Sequence, residues 1–523
     1  MPTPPAAISD SLLLRAALDA CVARETRAWL VGGAVRDVLL GRPLHDYDIA
    51  VEHSAIATAR DAAARLNAPM YVLDAERDTA RVVTADALGS RVFLDFARLR
   101  EPTLEGDLSK RDFTINAMAI ELRTATSRAA VSREARPSGR LIDPFGGQSD
   151  LDARILRAVT DQSLLDDPIR MLRAVRQSAT LSFAIEPETA GRIQESAGLI
   201  RTISAERVRD ELAQIVAQPG AYDHVQLLER MGLLAEVLPE LTATRGVTQS
   251  PPHHWDVFEH TLRLLDLLER LLSRAAGVES QTRLAQAIIT APESVWADID
   301  RSIGPMQAVL REHCEKTLSD DRTVWLTLKW AAIFHDVGKP HTRSVEPQGR
   351  IRFFDHEGVG GGMAAERMRA LRFSTDEIER VNTITHHHMR PHHLLDAASG
   401  ATRRAVYRFF RDTGEAGIDV LLMSLADHLA THGPDLDPDR WPRRLELTRV
   451  MLDTYFHRHD DTVNPPPLIT GHDVMTLLNL KSGPRVGEIL EMVREAQAAG
   501  EVQTRTEALA LIRRVSPEST QPR

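Results

Sequence analysis

The chain predicts an α+β protein, a head built on a mixed sheet with helices followed by an elongated all-α body. From Trp29 to about Ile120, short β-like runs alternate with helical ones. Beyond Asp150 the strand signals fade, and apolar residues recur at three- and four-residue spacing to the C-terminus. At 523 residues the chain exceeds what one hydrophobic core usually serves, so several domains are expected.

Taken in order, MPTPPAAISD lacks the basic start and apolar stretch of a signal peptide. WLVGG reads as a strand running into a Gly32-Gly33 turn, and the helix after it is stopped by Gly41. DYDIAV, RVV and RVFLDFA supply further strands. In the body, Val208, Leu212 and Ile215 mark a helix face. Pro, Gly and Asp break the helical pattern at TRGVTQSPP (244–252), HGPDLDPDRWP (432–442) and NPPP (464–467). These breaks suggest segments 1–150, 151–245, 246–435 and 436–523, the last ending in SPESTQPR, which is polar enough to fray.

Hydrophobic residues make up 43% and charged residues 26%, ordinary globular values. No run of about eighteen apolar residues could cross a bilayer, so no membrane partner is expected and the cytoplasm is the expected compartment. The two cysteines, Cys21 and Cys314, fall outside any CxxC or zinc-like spacing, which argues against a disulfide framework or thiolate metal site. A net charge of -10 argues against coating nucleic acid by bulk charge, so any RNA contact must be local.

The most informative stretch is LVGGAVRDVLLGRPLHDYDIAV, Leu30 to Val51. A strand, two glycines and a helix serve equally as a plain tight turn or as a phosphate site facing backbone N–H groups. Asp46 and Asp48, two apart on a strand, converge on one face and repel unless a cation sits between them. A hard divalent ion such as Mg²⁺, with positions open to substrate phosphate, suits the pair. The neighbouring glycine turn and Arg36-Asp37 favour that reading over a solvated acidic turn.

GGAVRD followed by HDYD resembles the first signature of the tRNA nucleotidyltransferase and poly(A) polymerase family, which has a polymerase-β-like head. KRDFTINAMA (Lys110 to Ala119), DPFGG (Asp143 to Gly147), DDPIRMLRAVR (Asp166 to Arg176) and ISAERVRDEL (Ile203 to Leu212) are similar to the family's later motifs, in the family's order. The resemblance implies that Asp46 and Asp48 are catalytic metal ligands and that Gly33, Arg36 and Arg111 touch the nucleotide. Arginine suits triphosphate oxygens because it stays charged and donates in pairs. Asp112 can accept from a ribose hydroxyl, with Asn116 one helical turn on. Asp95 stands open between a third carboxylate and a strand-end Asp with a structural hydrogen bond.

Asp167, Arg170, Arg173 and Arg176 step by three along an expected helix, leaving Met171, Leu172 and Val175 for a core. Cytosine and adenine each present an exocyclic amine donor beside an unprotonated ring nitrogen. A carboxylate accepts and a guanidinium donates, so Asp167 with Arg170 would take C or A and repel U and G. Family members usually carry Glu-Asp where this chain has Asp166-Asp167. The stretch from Asp95 to Asp107 is also short, where full CCA-adding members often have a longer loop. Both departures leave room for a CC-adding or A-adding specialist.

Downstream, VFEHTL, IFHDVGKP, FFDHEGVG, the run His386 to His388, and LADH resemble an HD-domain phosphohydrolase signature. His260, His335, Asp336 and Asp427 form one metal set in this reading, with His356 and either His386 or His387, the latter preferred, completing a second. Mixed imidazole and carboxylate ligands suit Mn²⁺, Ni²⁺ or Fe²⁺. Such a centre could hydrolyse phosphoesters, including terminal or 2′,3′-cyclic phosphates on RNA.

The segment from Leu468 to about Arg514 resembles the helical tail of bacterial HD-bearing members. The four segments thus read as nucleotidyltransferase head, nucleotide-selecting and RNA-binding neck, HD domain and tRNA-binding tail. The expected reaction is addition of C and A from CTP and ATP to the tRNA 3′ end. Poly(A) synthesis, a CC- or A-adding specialist, and an HD hydrolase with a relic head are the rival readings.

Overall fold

The computed structural model describes residues 12–85, 89–122, 140–277, 292–396, 401–433 and 435–515. The MPTPPAAISD and SPESTQPR segments lie outside the described residues. The chain divides into two compact units, residues 1–203 with 231–233, and residues 204–230 with 234–523.

The first unit holds a seven-stranded mixed sheet in the order β3-β4-β5-β2-β1-β6-β7. Its strands are β1 (Ala28–Val31), β2 (Asp46–Val51), β3 (Met70–Asp74), β4 (Thr79–Ala85), β5 (Arg91–Arg98), β6 (Ala119–Leu122) and β7 (Leu141–Ile142). Every expected strand run falls in one of them. β3 was not singled out, because Tyr71, Val72 and Leu73 are all exposed on this edge strand and leave no in-out alternation to read.

β2 pairs in parallel with β5 and antiparallel with β1. Trp29 lies opposite Ala50, so the face of β2 that carries Asp46 and Asp48 continues inward into apolar packing. Trp29, Val31, Ala50, Leu108, Ala117 and Ala119 form that buried cluster. The carboxylates therefore stand where a core face meets the sheet's end. In the helix Ala55–Leu66, Ala55, Ala59, Ala62 and Ala63 are buried at helical spacing, and Asn67 ends it in the left-handed region.

Helices make most of the second unit, as periodicity predicted. Val208, Leu212 and Ile215 are buried on the helix Ala205–Ala217. Short ladders interrupt the all-helical expectation, Thr317–Ser319 with Arg322–Thr323 and Arg343–Val345 with Ile351–Phe353. Strands of two or three residues are too brief to show a period. The helix Ala416–His432 is buried almost all round, the mark of a central helix.

A buried ion pair clasps this unit. Lys329 Nζ lies 2.6 Å from Glu269 and donates to the carbonyls of Val216 (2.9 Å), Ala217 (3.3 Å) and Gln218 (3.2 Å). Glu269 in turn accepts from the N–H groups of Gly220 and Ala221. One pair thus satisfies the carbonyl end of one helix and the amide start of the next.

The helix after the second break begins at Arg440, so Trp441 and Pro442 are already helical, a first-turn place that proline tolerates. Ile469, Val474, Val486, Ile489, Val493 and Ile512 pack in a further small core near the C-terminus.

Candidate functional site

The first site lies within the head unit. Gly32 follows β1 at φ 73° and ψ -142°, backbone that only glycine adopts without strain. A Cβ there would stand 2.6 Å from Arg111 Nη1 and 3.0 Å from Asp48 Oδ2. The bare backbone therefore lets Arg111 lie beside the carboxylate end of β2. The next helix spans only Gly33–Leu39, so the positive charge here comes from side chains.

Arg36 forks onto Asp37 at 2.9 and 2.8 Å, and its Nη1 donates to Asn116 Oδ1 at 2.9 Å. Asn116 Nδ2 donates to Asp112 Oδ1 at 2.9 Å and to Gln177 Oε1 at 3.1 Å. Asp112 and Asn116 thus meet, across a 3₁₀ turn at Thr114–Asn116 that stands in place of the expected helical turn. Arg170 is buried and donates to the carbonyls of Lys110 (2.6 Å), Ser163 (2.9 Å) and Arg111 (3.2 Å). It ties the segment bearing Arg111 to the helix Ile169–Leu181, whose Met171, Leu172 and Val175 are buried as expected.

Gly33, Arg36, Asp48, Arg111, Asp112, Asn116, Arg170, Arg173 and Arg176 all line one cavity of about 320 Å³. Asp167 does not line it. The arginine row lies on the helix, whereas Asp167 is extended (φ -150°, ψ 95°) because Pro168 disfavours the helical region for the residue before it. Asp112, 3.6 Å from Arg173 Nη1, is the carboxylate beside that row inside the cavity. Asp46 is exposed at the start of β2. Asp95 lies in register beside Asp48, and Arg81 grips it with two 2.7 Å hydrogen bonds, so it neighbours the pair and carries a structural bond as well.

Burial holds the Asp48 carboxyl above the ordinary value, with Asp95 and Asp46 adding to the shift and Arg111 opposing it. That imbalance fits a site for a divalent cation. Sequence reading missed Arg100, Asp107, Lys110 and Gln177, which also line the cavity. Gln177 could have been found as the residue after Arg176, but its hydrogen bond to Asn116 spans sixty-one positions.

The second site lies within the helical unit, where His260, His335 and Asp336 converge. His260 Nε2 is 3.7 Å from Asp336 Oδ2 and 3.0 Å from Asp427 Oδ1, and His335 Nε2 is 3.1 Å from Asp336 Oδ2. On the other oxygen, Asp336 Oδ1 lies 3.4 Å from His356 Nε2 and 3.9 Å from His388 Nε2. Asp336, His356 and His388 form a second converging group, with Asp336 common to both.

His388, rather than His386 or His387, occupies this place. It lies four residues after buried Ile384 and three after buried Thr385, hence on the inward face. His387 packs against His386 with ring centroids 4.7 Å apart, and burial lowers its pKa to about 4. The i+3 and i+4 spacing from Ile384 and Thr385 was the signal available in the sequence.

The Nδ1 atoms of His335, His356 and His388 each lie 2.6 to 2.8 Å from a backbone carbonyl three residues earlier. Those bonds make each Nδ1 the N–H and turn each Nε2 toward Asp336. Asp336 Oδ1, His335 Nε2 and His356 Nε2 are buried without a hydrogen-bond partner. Buried, orphaned donor atoms of this kind fit a borderline divalent metal. Burial would raise the Asp336 carboxyl, but His335 and Lys339 outweigh it and hold the group well below the ordinary range.

A paired-carboxylate strand beside an arginine-lined cavity defines a nucleotidyltransferase head, followed here by a candidate metal site of converging histidines and aspartates. Family models agree, with the poly A polymerase head domain at residues 28–157, the probable RNA and SrmB-binding site of polymerase A at 182–244, the HD domain at 306–432 and tRNA nucleotidyltransferase domain 2 at 454–512. The A-adding tRNA nucleotidyltransferase of Deinococcus radiodurans is 36% identical, over 94% of this chain and 96% of that protein. The CC-adding tRNA nucleotidyltransferase of Thermus thermophilus is 33% identical, over 93% of each. The chain belongs to the tRNA nucleotidyltransferase family and is an enzyme of the nucleotidyltransferase class. Its fold matches a CCA-adding enzyme in apo form (TM-score 0.60, 20% identity, 97% of this chain and 94% of that one). It also matches the Thermotoga maritima CCA-adding enzyme complexed with tRNA (TM-score 0.54, 20% identity, 96% and 94%). Among the described residues no helix is long and apolar enough to cross a membrane.

Proposed function

We propose that the protein adds C and A from CTP and ATP to the 3′ end of tRNA without a template, with Mg²⁺ held by Asp46 and Asp48. The observation that carries this reading is the convergence of Asp48 with Arg36, Arg111, Arg173 and Arg176 around one cavity in the head. Mg²⁺ bound there would lower the pKa of the RNA 3′-hydroxyl and offset charge on the departing pyrophosphate. Arg36, Arg111 and Arg176 bind the triphosphate, and Asp112 with Asn116 receives the ribose. Arg170 is the base-reading guanidinium and also braces the Arg111 segment through its carbonyl contacts. Asp167, outside the cavity wall, partners it if its side chain turns inward when nucleotide binds.

The division of labour follows segments 1–150, 151–245, 246–435 and 436–523, as head, neck, HD domain and tRNA-binding tail, acting in the cytoplasm. In the HD domain, His260, His335, Asp336 and Asp427 hold one transition metal, Mn²⁺, Ni²⁺ or Fe²⁺. His356 and His388 complete a second set through Asp336. This centre hydrolyses phosphoesters at RNA ends, which would otherwise block nucleotide addition.

A second reading, addition of A alone or of C alone, comes from the names of the two relatives described above, one A-adding and one CC-adding. Labelled tRNA transcripts ending before CCA, after C and after CC, each given CTP, ATP or both, separate the readings. Completion of CCA on the shortest transcript supports the first reading. ATP use on the CC end only, or CTP use only, replaces it with the specialist. Long A tracts replace both with poly(A) synthesis.

A further inference from the structure

Gln177 lies on the helix Ile169–Leu181 and lines the head cavity beside Asp112 and Asn116. All three side chains are buried, so their hydrogen-bonding atoms must find partners in the protein or in a ligand. Both amide hydrogens of Asn116 are taken. Its Nδ2 donates to Asp112 Oδ1 at 2.9 Å and to Gln177 Oε1 at 3.1 Å. Its Oδ1 accepts from Arg36 Nη1 at 2.9 Å, which fixes which way round the amide sits.

The two oxygens of Asp112 are used unevenly. Oδ1 accepts from Asn116 Nδ2 and also from the Phe113 N–H at 2.8 Å. Oδ2 faces Gln177 Nε2 at 3.5 Å and Arg173 Nη1 at 3.6 Å. Charge-assisted hydrogen bonds close to about 2.7–2.9 Å, so both of these contacts are long. Oδ2 is therefore the atom of the Asp112 and Asn116 pair with capacity for a strong new donor, and a hydroxyl supplies one without bringing a second charge.

We infer that Gln177 is a positioning residue for sugar selection: it holds the Asn116 amide, and through it the Asp112 carboxylate, so that Oδ2 accepts from a ribose hydroxyl of the bound nucleotide. A nucleotide without that hydroxyl leaves a buried carboxylate oxygen with two long contacts. Sites built this way reject the analogue because their own polar group goes unpaired. Removal of Gln177 takes one acceptor from Asn116 Nδ2 and loosens the carboxylate, while Arg36 and Arg111 remain to hold the triphosphate. The role deepens the nucleotide-transfer reading by naming what fixes the sugar-recognising oxygen, and it rests on that reading for the identity of the ligand.

The test is calorimetric titration of the full chain, with Mg²⁺ and without RNA, using CTP, ATP and the 2′-deoxy and 3′-deoxy forms of each. For a nucleotide that binds, one deoxy form should bind about ten- to a hundredfold more weakly than its parent, and which form does so names the hydroxyl. Gln177→Met should lower that ratio by about threefold or more, with the affinity for inorganic tripolyphosphate kept within about twofold. A merely structural role would weaken every ligand alike and leave the ratio in place. Should Gln177→Met fail to fold, Gln177→Asn draws the amide back by one methylene and should lower the ratio by about twofold or more. Absence of binding by both CTP and ATP, equal binding of parent and deoxy forms, or a ratio unchanged in a folded variant overturns the inference. Incorporation into tRNA transcripts is measured in parallel on the unmodified chain. Gln177-dependent discrimination without incorporation sinks the transfer reading and leaves the positioning role standing. Incorporation with Gln177-independent discrimination does the reverse.

Discussion

Replacing Gly32 with alanine adds one methyl group where the structure has no room for it. The new Cβ would meet Arg111 Nη1 at 2.6 Å, and ordinary contact begins at about 3.4 Å, so the guanidinium must retreat by about 0.8 Å. Nη1 is the far end of a flexible side chain, so the clash is relieved by moving the guanidinium away from its place beside Asp48 Oδ2, itself 3.0 Å from the same Cβ, and from Asp107, 3.6 Å from Arg111 Nη2. Misplacement of a positioning group by about 1 Å can cost on the order of a hundredfold in rate, so kcat/KM for nucleotide should fall about ten- to a hundredfold. The positive φ of 73° adds backbone strain of about 1 to 3 kcal/mol. Steady-state incorporation at varied CTP or ATP, with thermal unfolding run in parallel, reads both effects. Unchanged kcat/KM in a folded variant would refute the claim that the bare Gly32 backbone positions Arg111.

Three further outcomes are expected. His388→Ala should weaken Mn²⁺ or Ni²⁺ binding to the HD domain at least tenfold by calorimetry, while His387→Ala should leave it within twofold; the reverse order would restore His387 as the ligand. Lys329→Met leaves Glu269 buried without its cation and should cost about 3 to 5 kcal/mol in denaturant unfolding, most of it recovered when Glu269 is also made Gln. Burial opposes a charge on His313, but Asp419 and Glu415 outweigh it and raise its pKa above 6.5. A raised folded-state pKa stabilises fully below 6.5 and loses that contribution as pH climbs through the folded value, so the unfolding midpoint should drop over that range in the wild type and much less in His313→Gln.

Much of the head was legible in the chain because its signals are local. DYDIAV declares a strand with two carboxylates on one face, and the arginines at 170, 173 and 176 share a helix with a buried opposite side. The histidines and aspartates that converge in the HD domain were legible for the same reason, most of them lying in short His- or Asp-bearing motifs. Where a residue's role depends on its place in a turn, local pattern misled. Asp167 looked helical by spacing, yet Pro168 removes it from the helix. His387 and His388 differ by one position in a run of three, and about 100° of helix rotation decides between them.

By itself, then, the sequence determined the class of each segment and the chemical types gathered in it, because hydrophobic period and motif spacing are properties of neighbouring residues. Only the tertiary structure decided what each polar group faces. It placed Arg111 over the bare backbone of Gly32, set Asp95 beside Asp48, and turned Asp336 toward two histidine groups at once. Those facts rest on contacts between residues far apart in the chain, whose energies depend on burial and on distances of a few ångströms that no local pattern encodes.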